Sequence, residues 1–388
     1  MRISKHALRR SLLTLAISGA IASTYSAALL AADSTNNSAS QEIETLWQTV
    51  EKLNQQIAQA EEWKSPNTLI HMAGYADVNY ISTDDGSNFA TGAFAPIFHY
   101  QYQDKVMLET ELAFSVDEMG ETEVEMEYFT IDYFLNDNAA LVMGRFLSPL
   151  GQFRQNYHPS WINKLPSAPQ GFGHGGAAPI ADVGVQVRGG FKMGSSINAN
   201  YAVYTGNGVG AEMADDELEE AHSPGFNADV DGAKNYGGRF GMYMPTSKLD
   251  VGFSWATGKA GEITDEVQTG VKRDWDFIGA DFTWHLGGLD VRGEYVKQSY
   301  GERSDGTSEG VDFDATYVQV AYRFPATKWE VVARTSTYNK PEDTLKRSSA
   351  GVNYIFTSSV LTKLAYESND NDAGDAQDRI LLQMAYGF

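Results

Sequence analysis

From Leu69 onward, apolar and polar residues alternate with a period of two over short segments separated by polar turns. This period is typical of β-strands that have one apolar and one polar face. We count sixteen such segments. The last one carries an alternating apolar set: Ile380, Leu382, Met384, Tyr386 and Phe388. The fourth strand is predicted to slip in phase near Phe129.

The connections between the predicted strands alternate in length. Turns after even-numbered strands are short, as at residues 103–104 and 245–248, whereas most of those after odd-numbered strands are longer and polar. Bacterial transmembrane barrels have an even strand number, short periplasmic turns and long external loops. The sequence therefore predicts an all-β chain, a 16-stranded antiparallel transmembrane β-barrel over residues 68–388 with an aqueous channel.

A secreted β-sandwich would also alternate. We do not expect it to keep aromatic residues on its outward phase down to Phe388. In lipid the sheet has to close, because each unpaired amide at an open edge costs several kcal/mol.

Before the barrel, residues 33–67 are predicted to form a polar linker and a short N-terminal coiled-coil helix in the periplasm. The apolar residues of this helix follow an a/d heptad pattern: Ile43, Leu46, Val50, Leu53 and Ile57. β-branched residues at a with Leu at d favour two strands, but a barrel could impose three. The alternative is a single helix on the membrane surface.

Residues 1–32 are predicted to be a signal peptide, because four cations precede an apolar stretch and then small residues. Cleavage is expected after Ala28 or Ala32. The apolar stretch is shorter than the roughly 20 residues that span a bilayer. The exported chain contains no cysteine and so has no disulfides.

The formal charge is −22, and it becomes −26 when the four cations of the signal peptide are removed. A nucleic-acid partner is excluded, because phosphate neutralisation needs a basic face. Eight of the 51 acids lie between residues 212 and 231 in the predicted fourth loop. This run is interpreted as a solvated loop, with divalent-cation bridging to lipopolysaccharide as the alternative.

The polar phase of each strand is expected to line the lumen. It places a basic set inward: Arg188, Arg239, Arg292, Arg323, Arg334, Arg347, Lys363 and Arg379. It places an acidic wall on the third and fourth strands: Glu109, Glu111, Glu123, Glu125 and Glu127. Opposed charges would create a transverse field that favours polar solutes. The alternative is that these residues simply form ion pairs across neighbouring strands.

The longest connection, loop 3, is predicted over residues 147–181. It contains five prolines and no acid before Asp182, and its basic side chains are Arg154, His158, Lys164 and His174. A long loop without secondary structure is usually functional or disordered. Loop 3 is therefore the predicted constriction.

The heptad segment, the sequence Gly-Arg-Phe-Leu-Ser-Pro-Leu-Gly at residues 144–151 and the terminal Phe388 together carry a resemblance. The chain resembles trimeric outer-membrane porins grouped with phosphate-selective porins O and P, and the coiled-coil dicarboxylate porins. The resemblance implies a homotrimer in the Gram-negative outer membrane, with loop 3 folded into each pore. It also implies that anion-selective members use lysines and arginines along the path, and that Phe388 is read by the barrel-assembly machinery.

The resulting hypothesis is a porin that allows passive diffusion of small hydrophilic solutes, selective for anions such as phosphate or dicarboxylates. Its partners would be outer-membrane lipid and lipopolysaccharide. The alternatives are a general or cation-preferring porin and a plugged structural or adhesive barrel. No catalytic residue and no cofactor is predicted. The histidines show no paired spacing along the sequence that predicts a zinc site.

Overall fold

The computed structural model describes residues 68–214, 217–222, 225–229, 231–264, 267–306 and 308–388, together with Gln48. The predicted signal peptide and coiled coil lie outside the described residues. Among the described residues, no helix is long and apolar enough to cross a membrane.

The described chain is almost entirely β-structure. Its strands are β1 (Thr68–Thr83), β2 (Gly86–Tyr102), β3 (Val106–Val116), β4 (Thr122–Asn136), β5 (Ala139–Leu147), β6 (Ala181–Met193), β7 (Ile197–Gly206), β8 (Val209–Ala214), β9 (Glu217–His222), β10 (Asn235–Met244), β11 (Leu249–Thr264), β12 (Val267–Leu286), β13 (Leu289–Tyr300), β14 (Val311–Arg323), β15 (Trp329–Asn339), β16 (Thr344–Ile355), β17 (Val360–Asp370) and β18 (Arg379–Gly387). A five-residue π-helical turn, Phe153–Tyr157, follows β5.

Sixteen of these strands form a closed antiparallel barrel. Each pairs with its neighbours in sequence, β7 pairs with β10, and β1 pairs with both β2 and β18. At the seam, the amides of Gly74 and Phe388 each donate to the carbonyl of the other at 2.9 Å. Closure gives every barrel strand two partners, so the fold has no open edge to expose to lipid. The predicted 16-stranded all-β barrel is confirmed.

The other two strands, β8 and β9, form a hairpin that the sequence analysis assigned to loop 4. β8 also runs parallel to β11, with Ala260 opposite Val209. Its apolar side chains Val209, Ala211 and Met213 are buried, as is Leu218 of β9. The interpretation of the whole acidic run as a solvated loop was therefore wrong. The acids interrupt a short alternation of apolar residues, and these apolar side chains pack on the barrel wall.

Side chains on the outward phase of the barrel strands are apolar and exposed, including Ile70, Met72, Phe253 and Leu364. The predicted slip in β4 is confirmed as a β-bulge. Glu111 lies opposite Tyr128, but Leu112 lies opposite Met126. The extra residue returns Phe129 and Ile131 to the exposed outward phase.

Candidate functional site

Loop 3, residues 148–180, begins against the inner wall formed by β11 and β13. The amide of Gly151 donates to Ser254 Oγ at 3.0 Å. The amides of Gln152 and Phe153 donate to the two carboxylate oxygens of Glu294 at 3.0 and 2.9 Å. A Cβ at Gly151 would lie 1.9 Å from Glu294 Oε1, so glycine is required for this close approach.

The middle of loop 3 is bound by inward side chains of β15–β17. Lys164 pairs with Glu330 at 2.6 Å. Lys363 donates to the carbonyl oxygens of Ser160 and Leu165. Further on, the guanidinium of Arg334 donates to the carbonyl oxygen of Ser167 at 3.0 Å. These strands therefore hold the loop inside the barrel through their polar phase.

The basic side chains of loop 3 meet the acidic wall. Arg154 Nη2 lies 2.5 Å from Glu127 Oε2 on β4. His158 Nε2 lies 3.7 Å from Glu111, and His174 Nε2 lies 3.7 Å from Glu127. Because these charges are in contact, the expected transverse field does not act across open water at this level of the barrel.

The predicted basic residues are mostly ion-paired with inward acids. The pairs are Arg188 with Asp132 at 2.5 Å and Glu109 at 3.5 Å, Arg239 with Asp281 at 2.7 Å, Arg292 with Asp290 at 2.8 Å, and Glu367 with Arg379, Arg347 and Arg334 at 2.7, 3.6 and 3.9 Å. Lys363 has no ion-pair partner among the described residues and donates to Gln383 at 2.7 Å. Arg323 and Glu123 lie exposed near strand ends.

Three of the pairs are asymmetric in their exposure to water. The side chain of Arg188 is 43% exposed and that of Asp132 is 0% exposed. Arg379 is 28% exposed against 0% for Glu367, and Lys164 is 19% exposed against 6% for Glu330. Two other pairs do not follow this order. Asp290 is 10% exposed against 7% for Arg292, and Asp250, 3.8 Å from Arg239, is more exposed than that arginine. In the first three pairs, water in the lumen meets the cation rather than the acid.

Two cavities flank loop 3. One, of about 410 Å³, lies among β4–β7 and β10 and is bounded by Pro149 and Gln155 of loop 3. Arg188 and Arg239 line it, and Asp137 is the one lining carboxylate among the described residues. The other, also about 410 Å³, is lined by loop 3 residues 167–171 and 173–176 and by Lys340, Arg347 and Arg379. No described carboxylate lines the second cavity.

Several charged residues of the inner wall were missed by the sequence analysis. Arg145 of β5 lies 3.6 Å from Glu125. Glu262 of β11 is buried against Arg273 at 2.8 Å and Arg303 at 3.1 Å. Arg145 falls within the 144–151 segment that carried the family resemblance, and this position could have identified it as a residue of the pore. The Glu262 cluster depends on how far β11 and β12 extend, which the alternation did not reveal.

One group of side chains is close enough to share a metal ion. Ligand atoms of Glu125, Glu127 and His174 lie within 4.8 Å of one another. Arg154 contacts both Glu127 and His174, and Arg145 lies beside Glu125. Two guanidinium cations at the same place repel a metal ion, so this group is better described as an ion-pair network.

The chain is similar to one known protein family and to several solved structures. The family described as phosphate-selective porin O and P matches residues 101–388. An anion-selective porin from Comamonas acidovorans is similar in structure, with a TM-score of 0.58, 13% identity, and coverage of 83% of this chain and 100% of that chain. The trimer form of OmpT, an outer membrane protein of Vibrio cholerae, is similar with a TM-score of 0.57 and 12% identity, and the match covers 83% of this chain and 100% of that chain. No curated protein matches the sequence.

Proposed function

The chain belongs to the family of phosphate-selective porins O and P and is an outer-membrane porin, and we propose that its pore prefers small hydrophilic anions such as phosphate or dicarboxylates. Passage is passive, and no described residue is assigned a catalytic role. The proposed selectivity filter is the part of the lumen around loop 3.

The observation that carries the proposal is the unequal exposure within the ion pairs. The acids Asp132 and Glu367 are shielded from water by arginines that remain partly exposed. Pairing lowers the net charge, but a solute in the lumen approaches the guanidinium first. Arginine presents planar donors that match phosphate and carboxylate oxygens. The cavity lined by Lys340, Arg347 and Arg379 supports the same conclusion.

The acidic composition favours a second candidate, a general or cation-preferring porin. The formal charge is −22 and much of it lies in loop 4. Salt screens the exposed charges at the mouth over a Debye length of about 8 Å at physiological ionic strength, whereas it screens the buried ion pairs around loop 3 much less. The third candidate, a plugged barrel, follows from the many contacts of loop 3 with the wall, and it predicts no conductance.

Planar-bilayer recording in a salt gradient tests the proposal. We expect the reversal potential of the native protein to indicate anion preference, and Arg188→Glu and Arg379→Glu to move it toward cations. Lys259→Glu is the matched control, because Lys259 lies on the outer phase and pairs with exposed Asp274. Native cation preference, or equal shifts in all three variants, would overturn the proposal. Absence of current would favour the plugged barrel.

A homotrimer is proposed as the assembly. The similar OmpT structure is described as a trimer form, and the heptad residues Ile43, Leu46, Val50, Leu53 and Ile57 would align three periplasmic helices. Deletion of residues 41–64 is expected to weaken a heat-sensitive trimer band on gels. A trimer of unchanged thermal stability would refute a role for the coiled coil.

Two partners are proposed for the barrel itself. The barrel-assembly machinery would recognise Phe388, and lipopolysaccharide would contact the acidic outer loops through divalent cations. A Phe388→Ala variant should assemble more slowly in the outer membrane, and normal assembly would refute that role.

A further inference from the structure

Two histidines face each other at the short-turn end of the barrel. His71 of β1 lies directly opposite His99 of β2 in the antiparallel ladder. Their Nδ1 atoms are 3.3 Å apart and their ring centroids 5.5 Å apart. Because the centroid of an imidazole lies a little over 1 Å from its nitrogen, each Nδ1 is on the edge of its ring nearest the other ring.

The pair belongs to the inner phase of the barrel. The neighbouring residues Met72 and Phe98 form the adjacent cross-strand pair and are exposed on the apolar outer phase. On the far side of His99, the residue paired with it is Glu109 of β3. Glu109 Oε2 lies 3.5 Å from Arg188. His71 is exposed, so the pair is open to water at the mouth.

The carboxylate of Glu109 fixes the tautomer of His99. Glu109 Oε1 lies 3.1 Å from His99 Nε2, so Nε2 carries the proton and donates it. The lone pair of a neutral His99 ring is then on Nδ1, which points toward His71. A carboxylate that accepts from the distal nitrogen of a histidine is the usual support of a metal-ligating imidazole.

The separation of the two nitrogens suits a shared ion. With metal–nitrogen bonds of about 2.0–2.1 Å and a tetrahedral angle, two ligating nitrogens are about 3.3–3.4 Å apart. In the ion-free protein the same contact is a hydrogen bond that His71 Nδ1 donates to the unprotonated Nδ1 of His99, and binding of an ion would replace it. Because the two nitrogens face each other along the line between the rings, each ring has to turn by roughly 35° for its lone pair to reach one tetrahedral ion. The χ2 angle of histidine has a broad distribution, which allows this turn.

We propose that His71 and His99 form a binding site for a divalent transition-metal ion such as Zn²⁺ or Cu²⁺ at the short-turn mouth of the pore, with Glu109 as a positioning residue. Imidazole is a preferred ligand of both ions. Water completes the coordination, so the site is exchangeable. The bound ion adds two positive charges beside Glu109 and Arg188, at a mouth that turn length assigns to the periplasm.

The first test measures binding directly on the full-length, untagged protein in detergent. Calorimetric titration with Zn²⁺ is expected to show a site whose affinity falls at least tenfold in His71→Ala and in His99→Ala. Glu109→Gln should weaken it about 10–100-fold while leaving both ligands in place. His285→Ala is the matched control, because His285 also lies near a short turn and faces one acid, Asp290, at 3.1 Å.

The second test identifies the ligands. Electron paramagnetic resonance of one equivalent of Cu²⁺ should show coupling to two nitrogens, reduced in either variant but not in His285→Ala. Equal Zn²⁺ affinity in native protein and His71→Ala, or a copper spectrum unchanged by both variants, would overturn the proposal. Heat-modifiable migration on gels checks that each variant is folded. Both readouts are independent of ion selectivity, so failure of the proposed anion preference would not affect them.

Discussion

Arg154 of loop 3 and Glu127 of β4 are joined by an ion pair of 2.5 Å, with both side chains largely shielded from water. Loop 3 is otherwise fixed mainly to β11 and β13–β17, so this pair connects it to the opposite, acidic wall. The loop therefore crosses the lumen and is held at both sides.

Arg154→Gln is expected to raise single-channel conductance, because loop 3 loses its ionic contact with β4 and Glu127 is left without its closest cation. Breaking a buried pair on one side typically costs about 3–5 kcal/mol. Planar-bilayer recording measures the conductance. Lys297→Gln, which removes a cation from an outward-facing pair with Asp312, serves as the control. Equal conductance in native protein and Arg154→Gln would show that the pair does not hold the constriction.

Glu367→Gln is expected to increase anion preference. Glu367 is the acid shared by Arg334, Arg347 and Arg379, and neutralising it leaves their charges without compensation. The reversal potential should shift in the direction opposite to that of Arg379→Glu. Asp312→Asn, on the outward phase, should leave it unchanged. A shift toward cations would contradict the assignment of these arginines to the conducting path.

Lys363→Met is expected to destabilise the folded barrel. The ammonium group is buried and donates to two loop 3 carbonyls and to Gln383. Hydrogen bonds to charged groups contribute about 1.5–3 kcal/mol each, and the carbonyl acceptors would remain buried without a donor. The temperature at which the folded gel band disappears should fall. Lys346 is exposed, so Lys346→Met should leave this temperature unchanged within experimental error. An equal fall in both variants would contradict the prediction.

Gly144→Ala is expected to impair folding. Gly144 has a φ of +128°, and an added Cβ would lie 2.3 Å from the carbonyl oxygen of Phe129. Backbone strain of this kind costs about 1–3 kcal/mol before any clash is counted. Gly86→Ala is a matched control, because Gly86 has a φ of +152° and no heavy atom within 4 Å of an added Cβ. Urea unfolding midpoints compare the two, and equal losses would mean that the clash is relieved by small shifts.

The outer loop at residues 371–378 should be ordered down to acidic pH. Hydrogen bonds from Tyr366, Ser368 and the amide of Asn369 hold the pKa of Asp378 below its ordinary value. A carboxylate with a lowered pKa stabilises the folded loop above its unfolded pKa of about 3.9, and this contribution is lost as pH falls through the folded pKa.

Hydrogen exchange of the Asn369 amide measures this. Protection should be the same at pH 7 and pH 5 and should be lost in Asp378→Asn at both. Loss of protection in the native protein between pH 7 and pH 5 would contradict the lowered pKa.

The strand pattern was readable from the sequence because each barrel strand separates an apolar from a watery environment. The last strand shows this plainly, with Ile380, Leu382, Met384 and Tyr386 all on the exposed outer face. β8 and β9 were missed because Glu212, Glu217, Glu219 and Glu220 surround their few apolar residues. Their stability comes from packing on β11, which local alternation does not report.

The polar interior was predictable in composition but not in pairing. Phase places Arg188 inward, but its pairing with Asp132 of β4 depends on the length and reach of the arginine across β5. The spacing of histidines along the chain likewise gave no sign that His71 and His99 meet, because antiparallel register brings them together over 28 residues. The register of this hairpin is set by the two-residue turn between Thr83 and Gly86 and by the irregularity at Ala76 and Val78, and the apolar alternation marked neither.

The seam between β1 and β18 has a consequence for how the protein is made. Asp77 and Gln383, hydrogen-bonded across it, are 306 residues apart in the chain. β1 has no partner on that side until β18 has been synthesised, and the entropy of closing so long a loop has to be overcome late. The nascent barrel strands must therefore be kept from aggregating during export, and a truncation that removes β18 should leave an unclosed product for proteolysis.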